Sequence, residues 1–221
     1  MARNNHPTEY AVIGLGRFGS SVALTLTGLG YNVLGIDRDR DIVQQLADQL
    51  AQTVALDATN EDALRQVDIT SYETVIVAIG SNFEANLLTT VSLKSMGVRT
   101  VICKALSERQ KTILLRVGAD RVILPEHEAG CRLGYELAIG SLDRIELGST
   151  HSVAEFRAPA SLAGRSLRQA GLDTVLGVNV LAVKRGEALT MLPPPDYVLQ
   201  ADDVLVVGGS NDDISRLSEL E

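Results

Sequence analysis

The sequence contains no tryptophan and few aromatic residues of any kind: Phe, Trp and Tyr make up 4% of its 221 residues. It also has only two cysteines, Cys103 and Cys131, and three histidines. So few aromatic rings leave no stacking platform for single-stranded nucleic acid. Two isolated thiols favour free, buried side chains over a disulfide framework.

A basic cluster and a long apolar run are also missing. The formal net charge is -8, and no concentration of Lys or Arg offsets it. Because affinity for nucleic acid comes largely from basic side chains that neutralise phosphates, we expect no nucleic-acid partner. No segment approaches the roughly 18 apolar residues of a membrane span, and the polar start of the chain does not resemble a signal peptide. These absences predict a cytoplasmic protein.

The first two-thirds of the chain alternates short apolar runs with segments of helical periodicity. Predicted helices include Asp41–Leu50, one that a capping box opens at Thr59–Asp62, and one around Leu87–Lys94. Strands covered by helices on both faces are almost continuously apolar, so this alternation predicts an α/β fold with a doubly wound parallel sheet. The predicted strands are Tyr10–Ile13, Asn32–Ile36, Thr53–Leu56, Thr74–Ile79, Val98–Cys103 and Arg121–Leu124.

The pattern changes after Leu142, where the polar segment Asp143–Ser149 is typical of a linker. The signals beyond it predict a small α+β domain of about 70 residues. We therefore expect a first domain over residues 1–142 and a second over residues 150–221. The predicted elements of the second domain are strands His151–Arg157, Val178–Lys184 and Asp203–Gly208 and a closing helix Asn211–Leu220.

A glycine-rich motif, Gly14-Leu15-Gly16-Arg17-Phe18-Gly19, follows the first predicted strand. Gly14 permits a tight turn, Gly16 lets backbone approach a phosphate, and Gly19 lets the next helix pack closely. The N-terminus of that helix offers free N–H groups and a partial positive charge. This context predicts a Rossmann-type site for an adenine nucleotide. The alternative is a glycine-rich turn that binds nothing.

Two further segments lie at the same predicted edge of the sheet. Asp37 ends the second strand, close to the expected distance of about 20 residues from the motif. Its carboxylate can accept both hydroxyls of an adenosine ribose and would repel a 2′-phosphate, which disfavours NADP, although the adjacent Arg38 weakens that exclusion. Asp57-Ala58-Thr59 follows the third strand and is placed to line an adenine pocket. Capping of the next helix by Thr59 is the other interpretation, and the two roles are compatible.

No catalytic constellation accompanies this site. A hydride-transfer enzyme needs an acid or base near the nicotinamide. However, His6 lies in the leading tail, His151 lies beyond the first domain, and no tyrosine is followed four residues later by lysine. We therefore expect binding without chemistry. An NAD-dependent oxidoreductase or an NAD(H) redox sensor is the alternative, because fold alone does not decide function.

Several segments together resemble the RCK (KTN) family of regulators of potassium conductance. Within that family they are most similar to the cytosolic regulatory subunits of bacterial Ktr and Trk potassium-uptake systems. The likeness follows the family's order along nearly the whole chain. It implies a nucleotide-binding RCK N-terminal domain over residues 1–142 and an RCK C-terminal domain over residues 150–221. The segments are Tyr10–Gly19, Asp57–Thr59, Val75–Gly80, Gly118–Ile123 and Pro125-Glu126.

The resemblance implies a gating subunit that has no reaction of its own. Such subunits form an octameric ring, built as dimers of dimers, at the inner face of the cell membrane beneath a potassium translocator. ATP and ADP bind their N-terminal domains and favour different ring shapes, and NAD or NADH is also a possible ligand. The helix Gly130–Leu142, which has little polar surface, would then cross to a neighbouring subunit.

The resemblance also implies roles for single residues. Arg17 is the candidate for contacting the γ-phosphate of ATP. Lys104 has the same task or is an ordinary solvated lysine. Glu126 would bind Mg²⁺ or Ca²⁺ together with ATP at a two-fold interface, or it merely complements a helix dipole. Asp173 stands where an arginine binds cyclic di-AMP in some relatives, so weak or absent binding of that ligand is expected. The predicted cofactor-binding residues are Gly14, Gly16, Arg17, Phe18, Gly19, Asp37, Arg38, Asp57, Ala58, Thr59, Ile79, Gly80 and Lys104.

Overall fold

A computed structural model describes residues 9–139 and 141–217 of the chain. The chain divides into two compact units between His127 and Glu128. None of the helices within the described ranges is both long enough and apolar enough to span a bilayer.

The first unit contains a six-stranded parallel sheet in the order β3-β2-β1-β4-β5-β6. The order reverses between β1 and β4, and ligands of open α/β sheets bind at such a switch point, outside the carboxyl ends of the strands. The predicted doubly wound sheet is confirmed. Its strands are β1 (Glu9–Ile13), β2 (Asn32–Asp37), β3 (Gln52–Ala55), β4 (Thr74–Val77), β5 (Thr100–Lys104) and β6 (Arg121–Ile123).

Helices cover this sheet, and a short 3-10 turn at Ile69–Ser71 precedes β4. Gly97 and Gly118, which follow two of the helices, adopt positive φ angles of 89° and 111°, as left-handed caps require. The helices that begin in this unit are α1 (Arg17–Gly28), α2 (Arg40–Leu46), α3 (Glu61–Gln66), α4 (Phe83–Ser95), α5 (Glu108–Arg116) and α6 (Pro125–Ile139).

The strands are continuously apolar because consecutive residues face two different buried clusters. In β1, Ala11 and Ile13 belong to one cluster and Val12 to the other. In β4, Val75 likewise lies in the first cluster and Ile76 in the second. These two central strands must therefore be apolar on both faces, and the two-residue alternation of a half-exposed strand is absent from them.

The second unit has a five-stranded antiparallel sheet in the order β10-β9-β11-β8-β7. Alternate residues of β8, namely Ser152, Ala154 and Phe156, are buried. This is the pattern of a sheet with one covered face. The elements are β7 (Ser141–Glu146), β8 (His151–Arg157), β9 (Asn179–Arg185), β10 (Ala188–Met191) and β11 (Val204–Ser210), with α7 (Leu167–Ala170), α8 (Leu172–Val175) and α9 (Asn211–Leu217).

Two predictions need correction where the first unit passes into the second, and a third is only partly described. The helix predicted over Gly130–Leu142 ends at Ile139, and much of the predicted linker Asp143–Ser149 belongs to β7. This segment mixes polar and apolar residues, but its backbone pairs with β8, which makes it a strand. The proposed closing helix Asn211–Leu220 is described as far as Leu217. Its last three residues lie outside the described part of the chain.

The two cysteines have different environments. Cys103 is buried in the core, as expected, and burial raises the pKa of its thiol to about 11. The prediction that Cys131 is also buried is wrong, because Cys131 lies exposed on α6. No disulfide joins the two residues. The apolar pattern of α6 suggested a covered helix, but within one chain Leu133 and Leu137 remain 53% and 78% exposed.

Candidate functional site

The glycine-rich turn lies at the switch point between β1 and β4. Gly14 donates its N–H to Ile36 O over 2.7 Å, and Ala78 donates to Ile13 O over 2.7 Å, so three neighbouring strands converge on this turn. Gly14 has a φ angle of 91°. A Cβ atom on it would lie 3.0 Å from the backbone of Ala78 and of Ile79. Only glycine fits both the angle and the space.

The other two glycines differ sharply in the room around them. A Cβ atom on Gly19 would lie 1.8 Å from Gly14 O, so α1 packs directly on the turn. A Cβ atom on Gly16 would meet nothing within 4 Å. Gly16 is the N-cap of α1 and provides no side-chain hydrogen bond to the free N–H groups of the first turn. Those groups remain available for an anion.

Asp37 lies at the end of β2, and its carboxylate binds the backbone of the glycine-rich turn. Its Oδ2 accepts the N–H of Leu15 over 2.6 Å, and its Oδ1 accepts the N–H of Asp39 over 2.9 Å. The side chain is half-buried. Each carboxylate oxygen keeps a further lone pair, so the residue can still accept hydrogen bonds from a ligand.

The segment Asp57–Thr59 forms a compact turn beyond β3. Asp57 Oδ1 accepts hydrogen bonds from Thr59 N over 3.0 Å and from Thr59 Oγ1 over 2.8 Å. These bonds lower the pKa of Asp57 against the opposing effect of burial, and the charge of Arg38 lowers it further. The alternative role of Thr59 as a helix cap is wrong. Its hydroxyl is bound to Asp57, and the N-cap of α3 is Asn60.

Lys104 and Glu126 form an ion pair at the same edge of the sheet. Lys104 Nζ lies 2.6 Å from Glu126 Oε1 and 5.7 Å from the centroid of the Phe18 ring. The Lys104 side chain is only 11% exposed, so it is not an ordinary solvated lysine, whereas Glu126 is 62% exposed. The hydrogen bond from Lys104 lowers the pKa of Glu126, and the charge of Arg17 adds to that effect. The structure thus brings Lys104 and Glu126 together, and the charge of Arg17 acts on the same carboxylate.

Gly80 lies beside the Lys104 end of this ion pair. A Cβ atom on Gly80 would lie 3.5 Å from Lys104 Nζ, so the ammonium passes close to bare backbone. Within residues 9–139 and 141–217, no group of three or more His, Cys, Asp or Glu side chains is arranged to hold a metal ion. Glu126 offers a single carboxylate for this purpose, and an ion there would need further ligands from elsewhere.

Sequence reasoning missed Asn86, which lies on α4 and is 1% exposed. Its Nδ2 donates to Ile79 O over 2.7 Å and to Lys104 O over 3.0 Å. Three residues further on, Thr89 donates to Ala58 O over 3.2 Å. The available signal was the helical spacing of Asn86 and Thr89, since residues three apart on a helix share one face.

Comparison with known proteins places these observations in a family. Residues 10–125 match the TrkA-N domain and residues 153–221 match the TrkA-C domain. The chain therefore belongs to the RCK (TrkA) family, and the resemblance found in its sequence is confirmed.

Two curated relatives match over almost their full length. The chain is 37% identical over 212 residues to Ktr system potassium uptake protein C of Bacillus subtilis (strain 168), covering 96% of each chain. It is 34% identical over 209 residues to Ktr system potassium uptake protein A of the same organism, covering 94% of each. The solved structure "GsuK channel bound to NAD" has the same fold, with a TM-score of 0.69 at 17% identity. That match covers 99% of this chain and 40% of the GsuK chain.

Proposed function

We propose that this chain is a regulatory subunit of a potassium transporter, with no reaction of its own, that responds to ATP versus ADP. The two Ktr relatives match it over 94% or more of each chain, so the whole protein and not one domain resembles them. The observation that carries the nucleotide part is the single edge of the sheet that presents the open Gly16 turn, Asp37 and the Lys104–Glu126 pair.

Each part of an adenine nucleotide has a matching group at this edge. The α- and β-phosphates would bind the N–H groups of α1 beside Gly16, and the ribose hydroxyls would bind Asp37. The adenine would rest against the backbone of the Asp57–Thr59 turn, whose Ala58 side chain is buried in the core. The γ-phosphate, the part that ADP lacks, would reach toward Arg17 and Lys104.

The Lys104–Glu126 pair suggests how the site would distinguish ATP, which has a γ-phosphate, from ADP. In the structure, Glu126 accepts a hydrogen bond from Lys104. A γ-phosphate would compete for the same ammonium and would leave the Glu126 carboxylate beside further negative charge. Mg²⁺ or Ca²⁺ relieves that repulsion because both ions bind carboxylate and phosphate oxygens. ATP and ADP would thereby stabilise different arrangements, which is the requirement for allosteric control.

Assembly follows from the same proposal. Leu133 and Leu137 on α6 expose apolar surface that a neighbouring copy of the chain would cover. The proposed assembly is an octameric ring of dimers of dimers at the cytoplasmic side of the membrane, in contact with a membrane-embedded potassium translocator. Residues 1–142 would form its nucleotide-binding domains and residues 150–221 its C-terminal domains.

A calorimetric titration with ATP, ADP, NAD, NADH and NADP tests the ligand. We expect ATP and ADP to bind and NADP to bind much more weakly, since the Asp37 carboxylate repels a 2′-phosphate. Potassium uptake by vesicles that contain the translocator and this chain then tests the function, with ATP and ADP giving different rates. The alternative is an NAD(H)-sensing protein, in line with a GsuK channel solved bound to NAD. Preferential binding of NAD or NADH would favour it and refute the ATP/ADP switch.

A further inference from the structure

Helix α4 has a buried polar face. Of its five buried residues only Leu93 is apolar, and the others are Asn86, Thr89, Thr90 and Ser92. Burying an amide or a hydroxyl is unfavourable unless the group finds a hydrogen-bond partner. The partners of this face therefore show what it holds in place.

Asn86 joins two strands beyond the point where their own pairing ends. The last paired residues of β4 and β5 are Val77 and Cys103. Asn86 donates one hydrogen bond to Ile79 O over 2.7 Å and one to Lys104 O over 3.0 Å. The Asn86 amide thus links the ends of β4 and β5 at the carboxyl edge of the sheet, beyond their last paired residues.

This bridge fixes the place from which the Lys104 ammonium projects. The Ile79 carbonyl that Asn86 holds lies next to Gly80, and a Cβ atom on Gly80 would lie 3.5 Å from Lys104 Nζ. The Lys104 side chain is 11% exposed, so it has little freedom to compensate for a shift of its backbone. Movement of the Asn86 bridge would therefore move the ammonium.

Thr89, three residues further along α4, makes the corresponding contact with the Asp57–Thr59 turn. Its Oγ1 donates to Ala58 O over 3.2 Å. Of the other two polar residues of this face, Thr90 donates to Asn86 O within α4 over 2.7 Å. Ser92 donates to Glu61 Oε1 on α3 over 3.0 Å. Ser92 therefore shares the burial and chemistry of the face but holds no part of the site.

We propose that Asn86 and Thr89 are positioning residues for opposite ends of the bound nucleotide. Asn86 places the Lys104 ammonium for the terminal phosphates, and Thr89 places the Ala58 backbone for the adenine. Neither side chain touches the ligand, because each acts through a backbone carbonyl. The inference rests on the proposed binding of adenine nucleotides.

Calorimetric titration of three variants with AMP, ADP and ATP tests the division of roles. Asn86→Ser shortens the side chain and leaves one donor, so we expect ATP affinity to fall about tenfold, which corresponds to about 1.4 kcal/mol, with AMP unchanged. Thr89→Val should weaken all three ligands by the same factor. Ser92→Ala, the matched control, should change none of them. If Asn86→Ser does not melt cooperatively, Asn86→Gln replaces it and displaces both donors by one methylene, with the same selective loss expected.

A double-mutant cycle separates positioning from a general loss of structure. If Asn86 acts through Lys104, the effect of Asn86→Ser on ATP affinity should disappear in a Lys104→Ala background, because the group it positions is gone. A full additional loss of ATP affinity in that background would overturn the inference. An equal loss of AMP and ATP affinity in Asn86→Ser alone would do so as well.

The same titrations distinguish failure of the inference from failure of the proposed function. If the unmodified protein binds no adenine nucleotide, the proposed function is wrong and the positioning roles are wrong with it. If the unmodified protein binds ATP and Asn86→Ser behaves like Ser92→Ala, the proposed function stands and only the positioning role of Asn86 is refuted.

Discussion

Replacing Asp37 with alanine tests where the ribose binds. The carboxylate already accepts the N–H groups of Leu15 and Asp39, and a ribose would add two hydroxyl donors. A hydrogen bond to a charged group contributes about 1.5–3 kcal/mol. Loss of even one ribose bond should weaken binding by about 10- to 150-fold, at about 1.4 kcal/mol per factor of ten. ATP and ADP carry the same ribose, so both affinities should fall by the same factor in a calorimetric titration.

Asp39→Ala is the matched control for that variant. Asp39 carries the same charge two residues away, and its side chain caps α2 by accepting the N–H of Asp41 over 2.9 Å. Loss of this cap should lower the free energy of unfolding by about 1 kcal/mol and leave nucleotide affinity nearly unchanged. Two results would refute the reasoning about Asp37: ADP binding as in the unmodified protein, or equal losses of affinity in Asp37→Ala and Asp39→Ala.

Three of the remaining predictions concern ligands. Arg17→Ala should weaken ATP at least about tenfold more than ADP, with partial recovery in Arg17→Lys because lysine lacks the planar two-pronged donor group; equal losses would assign Arg17 to the shared phosphates. Mg²⁺ or Ca²⁺ should tighten binding of ATP but not ADP, and Glu126→Gln should abolish this effect; a variant that keeps it would leave Glu126 as a helix-start residue only. Cyclic di-AMP should bind weakly or not at all, because the exposed Asp173 carboxylate in the second unit repels its phosphates; a tight complex in calorimetry would contradict this. The fourth concerns acid stability. Arg185 lowers the pKa of the buried Asp203, so the stability from this pair is present above the ordinary aspartate pKa of about 4 and is lost as the pH falls through the lower folded-state value. The melting temperature of the second unit, measured in the intact chain, should fall by several degrees as the pH is lowered through that range. An unchanged melting temperature would refute the stabilising role of the Arg185–Asp203 pair.

The parallel sheet was predictable because its chemistry is local. The central strands must be apolar on both faces, and segments such as Val75–Val77 carry that pattern in their own sequence. Strand β7 was not predictable in this way, because its mixed composition matches a linker equally well. Only its backbone pairing with β8, the next strand along the chain, decides the outcome.

Within the site, the features set by consecutive residues were predictable, and those set by contacts between separate segments were not. The glycine spacing and the position of Asp37 predicted the geometry of the turn, since strand, turn and helix are consecutive. The prediction that Thr59 caps the next helix was wrong because its hydroxyl is bound to Asp57, and Asn60 is the helix cap instead. Asn86 was missed because its partners, the carbonyls of Ile79 and Lys104, come together only when β4 and β5 lie side by side.

The hydrogen bonds that hold the glycine-rich turn bear on how such a protein would respond to changing nucleotide levels. Gly14 and Leu15 are both anchored to β2, the first through Ile36 O and the second through Asp37. A nucleotide would meet a turn whose conformational entropy was already lost on folding, so little affinity would be consumed in ordering it. Any difference between ATP and ADP would then come from the groups around the terminal phosphate alone. A turn of this kind suits a protein that compares the levels of two ligands and exchanges one for the other without refolding.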